Sequence, residues 1–577
     1  MVCGAARCVL AVMFLMPLAA PAALQVKVVD VHTIVTTDGP APAESGKELR
    51  LAGARGGIVS GQVVVTSDAP ITALPVQTGD LSGAGATIPR SAIQVRYPTV
   101  LNDLRPNATP PKKPGTRFDV LAEALVPGQK IQPVFVTVDV PADARPGEYK
   151  GTLKVAGSAV PVRLTVSSFR IPRHNEDGIL ISIQQSPDAI AEAYDVPIYS
   201  DAHLKVLEPS YRMMGQLNND VLYVPLMHKT WLGHRRGLVQ FRRSGNTLVP
   251  DFSAFDRFMR MYTRLCGVPE VMILNLWEGY LSWSKTNEKG EPINPNDDSP
   301  LPFAKKMWVS VIEGNGLAEA EIDAYPANPD MWKAVVSGFR QRCEKLGVKG
   351  ENLFLGVSHD RQTMPEQVDF FRALDPKMMW AVFTHGYGGP RAGYCGYFEY
   401  PDNGLTTDGL KMGWDSKTLV LNSVRDKHND GSSPIRLRQV IDISVDKRHK
   451  KPSAGFARLG LDQWGVVGRP EWRQLNAPNR LYRHATYAVT RPGPTHALPT
   501  QRYMMLVEGL HEAQARVAIE KAIVAKRLVF DGPVKDLLLF RSAFQKQNLA
   551  ESDPLKHFPP ANWIDQRAKL FDVADVK

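Results

Sequence analysis

Asn352-Leu-Phe-Leu-Gly-Val-Ser-His-Asp360 reads as a buried strand that stops abruptly on a histidine and a carboxylate. Apolar residues dominate from Leu353 to Val357, Gly350 precedes the run, and Pro365-Glu-Gln-Val-Asp-Phe-Phe-Arg-Ala-Leu374 has helical periodicity. The unit is therefore strand, loop, helix. Parallel barrels carry their chemistry at that end of a strand, where a carboxylate reads as catalytic. The structural alternative for Asp360 is a cap on the following helix or a pair with Arg361.

The same alternation extends on both sides. Strand patterns lie at Gly178 to Gln184, Val221 to Leu226, Glu270 to Trp277, Met378 to His385, Lys417 to Ser423 and Gly455 to Trp464. Helical patterns separate many of them, at Leu204 to Leu217, Phe252 to Leu265, Pro329 to Leu346 and Pro365 to Leu374. Repeated strand and helix predict a parallel sheet covered by helices, and this many units predict a (β/α)8-like, TIM-type barrel over residues 171–490. A glycine-rich phosphate loop in the right context is missing, which argues against a nucleotide fold. Gly279 to Ala327 reads as a long polar and aromatic loop over the barrel mouth, and such loops serve binding.

Residues 24–170 have a different texture. Short alternating stretches such as Gly61-Gln-Val-Val-Val-Thr and Val160-Pro-Val-Arg-Leu-Thr-Val, broken by Gly, Pro and Asp, predict a β-sandwich accessory domain. Residues 491–577 are expected to complete the barrel and extend it with helices. The first 23 residues carry one cation, Arg7, then an apolar run from Val9 to Leu18 and small residues after it. That is a secretory signal, and it predicts a secreted or periplasmic protein with no membrane span.

Composition narrows the function classes. At 577 residues, 44% hydrophobic and 22% charged, the chain has the makeup of a multidomain globular protein with a sizeable core. Its net charge is +10, and +9 once the segment bearing only Arg7 is gone, which favours anionic partners such as acidic or sulfated glycans. The charges are dispersed, apart from Asp446-Lys-Arg-His-Lys-Lys451, and that cluster reads as a solvated loop rather than a nucleic-acid site. Beyond the signal only Cys266, Cys343 and Cys395 remain, widely spaced, which argues against a disulfide framework or structural zinc. The 13 histidines are scattered, so neither a metal site nor a cofactor is expected.

If the alternation is a barrel, several strands deliver acids and rings to one rim: Trp277 and Glu278, His359 and Asp360, His385 and Tyr387, Asp462 and Trp464. Glu399, in Gly396-Tyr-Phe-Glu-Tyr, is a weaker candidate. Carboxyl groups can protonate a glycosidic oxygen or stabilise an oxocarbenium-like centre, and rings cover the apolar faces of sugars. Each residue alone has a plain reading: the tryptophans as core or rim packing, Glu278 as a salt bridge to a neighbouring strand.

Taken together, the chain resembles glycoside hydrolase family 123 and the wider bacterial group carrying domain of unknown function 4091. The resemblance rests on Gln132-Pro-Val-Phe-Val-Thr-Val-Asp-Val-Pro-Ala-Asp-Ala-Arg-Pro-Gly-Glu-Tyr-Lys-Gly-Thr-Leu153, Asn352 to Asp360, Ala454-Gly-Phe-Ala-Arg-Leu-Gly-Leu-Asp-Gln-Trp464 and Pro499-Thr-Gln-Arg-Tyr-Met-Met-Leu-Val-Glu-Gly-Leu510. The last presents Arg502 and the pair Glu508-Gly509, on a helix running to about Ala525 that is expected to pack against the barrel rather than touch substrate.

The resemblance implies exo-acting hexosaminidase chemistry in which the substrate's acetamido oxygen is the nucleophile. In such relatives an Asp-Glu pair closes the barrel strand, the Asp orienting the acetamido group and the Glu acting as acid and base. This chain keeps Asp360 but has Arg361 in the second position, and an arginine stays protonated at any working pH. That leaves three readings: another carboxylate is the acid, Glu278 first and Asp462 second; the chain uses His359 or a different substrate; or it is an inactive carbohydrate-binding relative. The expected catalytic pair is thus Asp360 and Glu278, with Trp277, His359, Arg361, His385, Tyr387, Glu399, Asp462 and Trp464 contacting the sugar.

Overall fold

The computed structural model describes residues 24–101, 116–174, 176, 178–227, 236–278, 306–323, 325–358, 365–382, 394–395, 419–423, 433–448, 455–460, 488–550 and 559–576. At Trp277, Glu278, Val357 and Ser358 the description is of backbone only.

Strands β1 (Gln25–Val29), β2 (Leu49–Arg55), β3 (Ile58–Thr66), β4 (Val76–Thr78), β5 (Leu81–Gly83), β6 (Ala86–Ile88), β7 (Ile93–Val100), β8 (Phe118–Ala122), β9 (Ile131–Asp139), β10 (Gly147–Val155) and β11 (Ser158–Arg170) make two sheets. One runs β1-β3-β9-β7-β8 and the other β2-β11-β10-β5-β6, with β4 on β10. Along β10, Tyr149, Leu153 and Val155 are buried while Glu148, Lys150 and Lys154 are exposed, the period-two pattern of a strand with one face in a core. Those three join Val63, Val134, Leu164 and others in the core between the sheets, so the expected sandwich is present.

The central region holds β12 (Leu180–Gln184), β13 (Val221–Pro225), β14 (Gln240–Ser244), β15 (Thr247–Asp251), β16 (Val271–Glu278), β17 (Lys306–Glu313), β18 (Gly316–Asp323), β19 (Leu353–Ser358), β20 (Met379–Val382), β21 (Tyr394–Cys395), β22 (Leu419–Ser423) and β23 (Gly455–Gly460). Between them lie α1 (Pro187–Ala193), α2 (Asp201–Gln216), α3 (Ser253–Cys266), α4 (Pro329–Leu346), α5 (Pro365–Leu374) and α6 (Pro434–Arg448). Eight strands form one sheet, β12-β23-β22-β21-β20-β19-β16-β13, and every pairing is parallel.

The two faces of this sheet pack separately. Leu222, Val224, Met272, Leu274, Leu353, Leu355 and Trp380 join the helices in the large core. The alternate positions Val221, Val271, Ile273, Phe354 and Ala381 form a small cluster of their own on the other face. The segment leading into β13 reaches β12. Ile181 pairs in parallel with Asn219, the Ile181 amide donates to Asp220 Oδ2 at 2.7 Å, and the Ile183 amide donates to Asn219 Oδ1 at 2.7 Å.

Two departures from the sequence reading stand out. Gly279 to Ala327 is not all loop, because β17 and β18 form a hairpin that joins β14 and β15 in a four-stranded sheet. Met307, Val309 and Val311 are buried on alternate positions of β17, a period easily lost inside so polar a stretch. Asp446-Lys-Arg448, expected in a solvated loop, is the last turn of α6. Cys266 and Cys343 are buried and unbridged; Cys395 is described in its backbone alone.

Three C-terminal helices, α7 (Gln501–Val524), α8 (Gly532–Ala550) and α9 (Trp563–Ala574), tie the parts together. Helix α7 is buried on nearly every side, and its acidic residues Glu508 and Glu512 are paired with arginines. Glu508 accepts from Arg438 Nη2 at 2.9 Å, and Glu512 accepts from Arg438 Nε at 2.8 Å and Arg541 Nη1 at 3.2 Å. A Cβ on Gly509 would lie 2.0 Å from the Arg438 carbonyl, so the glycine lets α6 and α7 touch backbone to backbone. The Glu508-Gly509 pair is structural, as the sequence reading expected of this helix.

Candidate active site at the strand ends

All eight strands point the same way, so their C-terminal ends share one edge of the sheet. The nearest-neighbour pair of interest is β16 and β19. Asn275 lies opposite Gly356, then the register shifts, so that Trp277 lies opposite Val357 and Glu278 opposite Ser358. A bulge of one residue inverts the phase of the residues beyond it. Without the shift, Trp277 would take the position across from Ser358; with it, Glu278 does. Asp360 comes two residues after Ser358 in the chain. Neighbouring strands are about 4.8 Å apart, so the backbone at Glu278 is one strand spacing from the residue that introduces His359 and Asp360.

Beneath these ends the sheet is closely packed. Pro225, Asn275, Gly356 and Ala381 are register partners across four adjacent strands, a row with a single long polar side chain. Asn275 is buried, and a Cβ on Gly356 would fall 2.5 Å from Ile273 Cγ2 and 3.4 Å from Asn275 Oδ1. Glycine is therefore required at 356 for the strands to keep their spacing beside Ile273. One layer further down, Ile273 and Phe354 are paired across the strands and buried in a small apolar cluster.

The structure adds one residue the sequence did not single out. Gln185 comes directly after β12, is 5% exposed, and its Oε1 is buried with no hydrogen-bond partner. A buried amide oxygen without a donor costs about 1–3 kcal/mol. Only its place at a strand end could have flagged it. Of the residues the sequence reading named, Trp277 and Glu278 are placed in backbone on β16. His359, Asp360, Arg361, His385, Tyr387, Glu399, Asp462 and Trp464 lie outside the described residues. In chain order, though, Asp360, His385 and Asp462 each come within three residues of the last one described in β19, β20 and β23. Among the described residues there is no group of side chains that could hold a metal ion, and no helix long and apolar enough to cross a membrane.

The family model for the glycoside hydrolase 123 catalytic domain matches residues 185–384, and that for the glycoside hydrolase 123 N-terminal domain matches residues 35–157. Among solved structures, a family 123 glycoside hydrolase from Clostridium perfringens, described for glycolipid glycan hydrolysis, is similar over 95% of this chain and 98% of its own, with TM-score 0.65 and 14% identity. At that identity the likeness shows the fold. A Paenibacillus cycloisomaltooligosaccharide glucanotransferase is matched over 73% of this chain and 52% of its own, with TM-score 0.20 and 13% identity. No curated protein sequence matches. The catalytic-domain match spans Gln185, the β16–β19 pair and the Asp360 segment, and the N-terminal match spans most of the sandwich, so the chain belongs to glycoside hydrolase family 123.

Proposed function

We propose that this glycosidase is an exo-acting hexosaminidase that uses the substrate's own acetamido group, with Asp360 orienting that group and Glu278 as general acid and base. The carrying observation is the β16–β19 register, which brings Glu278 level with Ser358, two residues before Asp360. In this reading the acetamido oxygen attacks the anomeric carbon while Glu278 gives its proton to the departing oxygen. Water then attacks the same carbon, and Glu278 takes the proton back. Arg361 holds a fixed positive charge beside Asp360 in sequence, suited to keeping that carboxylate ionised.

The parallel sheet supports a (β/α)8-like barrel, since the Ile181–Asn219 bridge joins β12 to the segment leading into β13. Trp277, His359, His385, Tyr387, Asp462, Trp464 and Glu399 are proposed to line the sugar's path. The apolar N-terminal segment supports a secreted or periplasmic location, and the net charge of +10 supports an acidic glycan as the wider substrate.

The test is release of p-nitrophenol and reducing sugar from aryl N-acetylglucosaminides and N-acetylgalactosaminides. Asp360→Asn and Glu278→Gln should each lower kcat/KM by about a thousandfold or more with binding retained. If the unaltered protein retains glycan but releases nothing from a broad panel of substrates, it is a binding relative and the proposal is wrong.

A further inference from the structure

A groove of about 420 Å³ lies far along the chain from the catalytic strand ends, where the sandwich meets the segment leading into α9. One wall is apolar, made by Pro559, Pro560, Ile564 and Trp563. The sandwich contributes polar residues to the same groove, Ser45, Lys47, Arg50, Asp30 and Ser60, beside Val28, Val31 and Leu49.

Trp563 is held in one pose. Its Nε1–H donates to Asp30 Oδ2 at 2.7 Å, the Arg438 guanidinium lies 4.5 Å from its ring centroid, and His32 meets it edge-on. What remains of the half-buried indole lines the groove. Asp30 is fixed in turn, its Oδ1 accepting from the His32 amide at 2.9 Å and facing Nδ1 at 2.8 Å. Arginine has no acceptor, so at the 2.9 Å contact with Arg438 Nη1 the His32 Nε2 accepts, and Nδ1 carries the proton to Asp30. The ring is thus presented by groups that are already satisfied, and a ligand meets it without reorganisation.

Ser60 supplies an independent sign. It is 2% exposed, lines the groove, and its hydroxyl has no partner. At the groove, the Lys47–Glu44 and Arg50–Asp565 pairs are exposed. Such pairs hold weakly and can exchange for bonds to a ligand.

We infer that this groove is a second carbohydrate site, binding a pyranose of the glycan away from the catalytic strand ends. A sugar ring has an apolar C–H face and a rim of hydroxyls, and the groove's lining offers both an indole with prolines and a set of polar side chains. A lipid chain would leave the charged side chains unpaired. An added peptide strand is blocked at β1, because Val28 already accepts from the Ser45 amide at 2.8 Å and pairs with Gly46. The volume lies in the range of small-molecule sites, about 300–1,000 Å³.

This inference rests on the hexosaminidase reading for the identity of the sugar, and the experiment separates the two. Full-length Glu278→Gln protein is applied to immobilised oligosaccharides ending in N-acetylglucosamine or N-acetylgalactosamine, alone and with Ala561→Trp or Ser45→Arg. Both added changes are at exposed positions on the groove and leave the Trp563 contacts in place. Binding should weaken at least tenfold in each. The same groove changes in the otherwise unaltered enzyme should keep hydrolysis of aryl N-acetylhexosaminides within twofold. Unchanged binding in both groove variants, or no binding by the parent to any glycan, overturns the inference. Groove-dependent binding without aryl hydrolysis by the unaltered enzyme supports the groove and sinks the hexosaminidase reading instead.

Discussion

The guanidinium of Arg502 and the carboxylate of Asp119, 383 positions apart in the chain, meet at 2.7 Å with side chains 0% and 1% exposed. The pair ties the start of α7 to strand β8 of the sandwich, and Arg502 Nη2 also donates to the Ala488 carbonyl at 3.0 Å. Burial alone would push the Asp119 carboxyl up, but the charges of Arg502, Arg117 and Arg491 and the Arg502 hydrogen bond together outweigh it and hold the group below its usual range. Removing one partner leaves the other charge buried, so Arg502→Met should destabilise the fold by about 3–5 kcal/mol. The double change with Asp119→Leu should recover most of that loss. Urea unfolding of both variants checks it, and a double variant as unstable as the single one would contradict the account.

The side chains of Asn219 and Asp220 take the place of a strand ladder between β12 and β13. Asn219→Ala leaves the Ile183 amide without its acceptor, which should cost about 1–3 kcal/mol. Hydrogen exchange should quicken at Ile181 and Ile183 and stay unchanged in β16 and β19. Uniform quickening across the sheet would show that this junction is not a separate unit.

Stability should fall with pH well before the carboxylates titrate. Burial drives His203 down to about 4, and burial with the Arg567 charge drives His511 down to about 3. In the unfolded chain both titrate near 6.5, so below that pH the unfolded state binds more protons and folding weakens. At pH 5 the loss is about 2 kcal/mol for each histidine relative to pH 7. Glu512 acts lower. Burial raises it, the charges of Arg438, Arg541 and Arg567 bring it to about 2, and its contribution, complete above about pH 4.5, is lost as pH falls toward 2. His203→Gln should remove about half of the change between pH 7 and pH 5, measured by urea unfolding at each.

The proton on the leaving oxygen should belong to Glu278 and not to Arg361. Arg361→Ala should therefore lower kcat/KM while leaving the basic limb of the pH–rate profile in place, whereas Glu278→Gln should erase that limb. A basic limb that survives Glu278→Gln transfers the role to Asp462 or His359.

Strand β19 and helix α5 were legible because buried strands and amphipathic helices announce themselves by local period, and so did β10 of the sandwich. The β17–β18 hairpin was not, since Met307, Val309 and Val311 sit in a segment whose composition reads as loop. Gln185 was missed for a different reason: nothing in Gln184-Gln185-Ser186 tells which amide will be buried without a partner.

Sequence alone was sufficient for most of the strands of the parallel sheet, for the sandwich ahead of it, and for the acid that comes shortly after Ser358. These depend on periodicity and on motifs contiguous in the chain. Tertiary structure alone decided that Glu278 faces Ser358 across β16 and β19, that Arg502 answers Asp119, and that Trp563 is pinned beside a groove. Each depends on register or on contact between residues far apart in sequence, and a one-residue bulge that no local period records is enough to exchange Trp277 for Glu278.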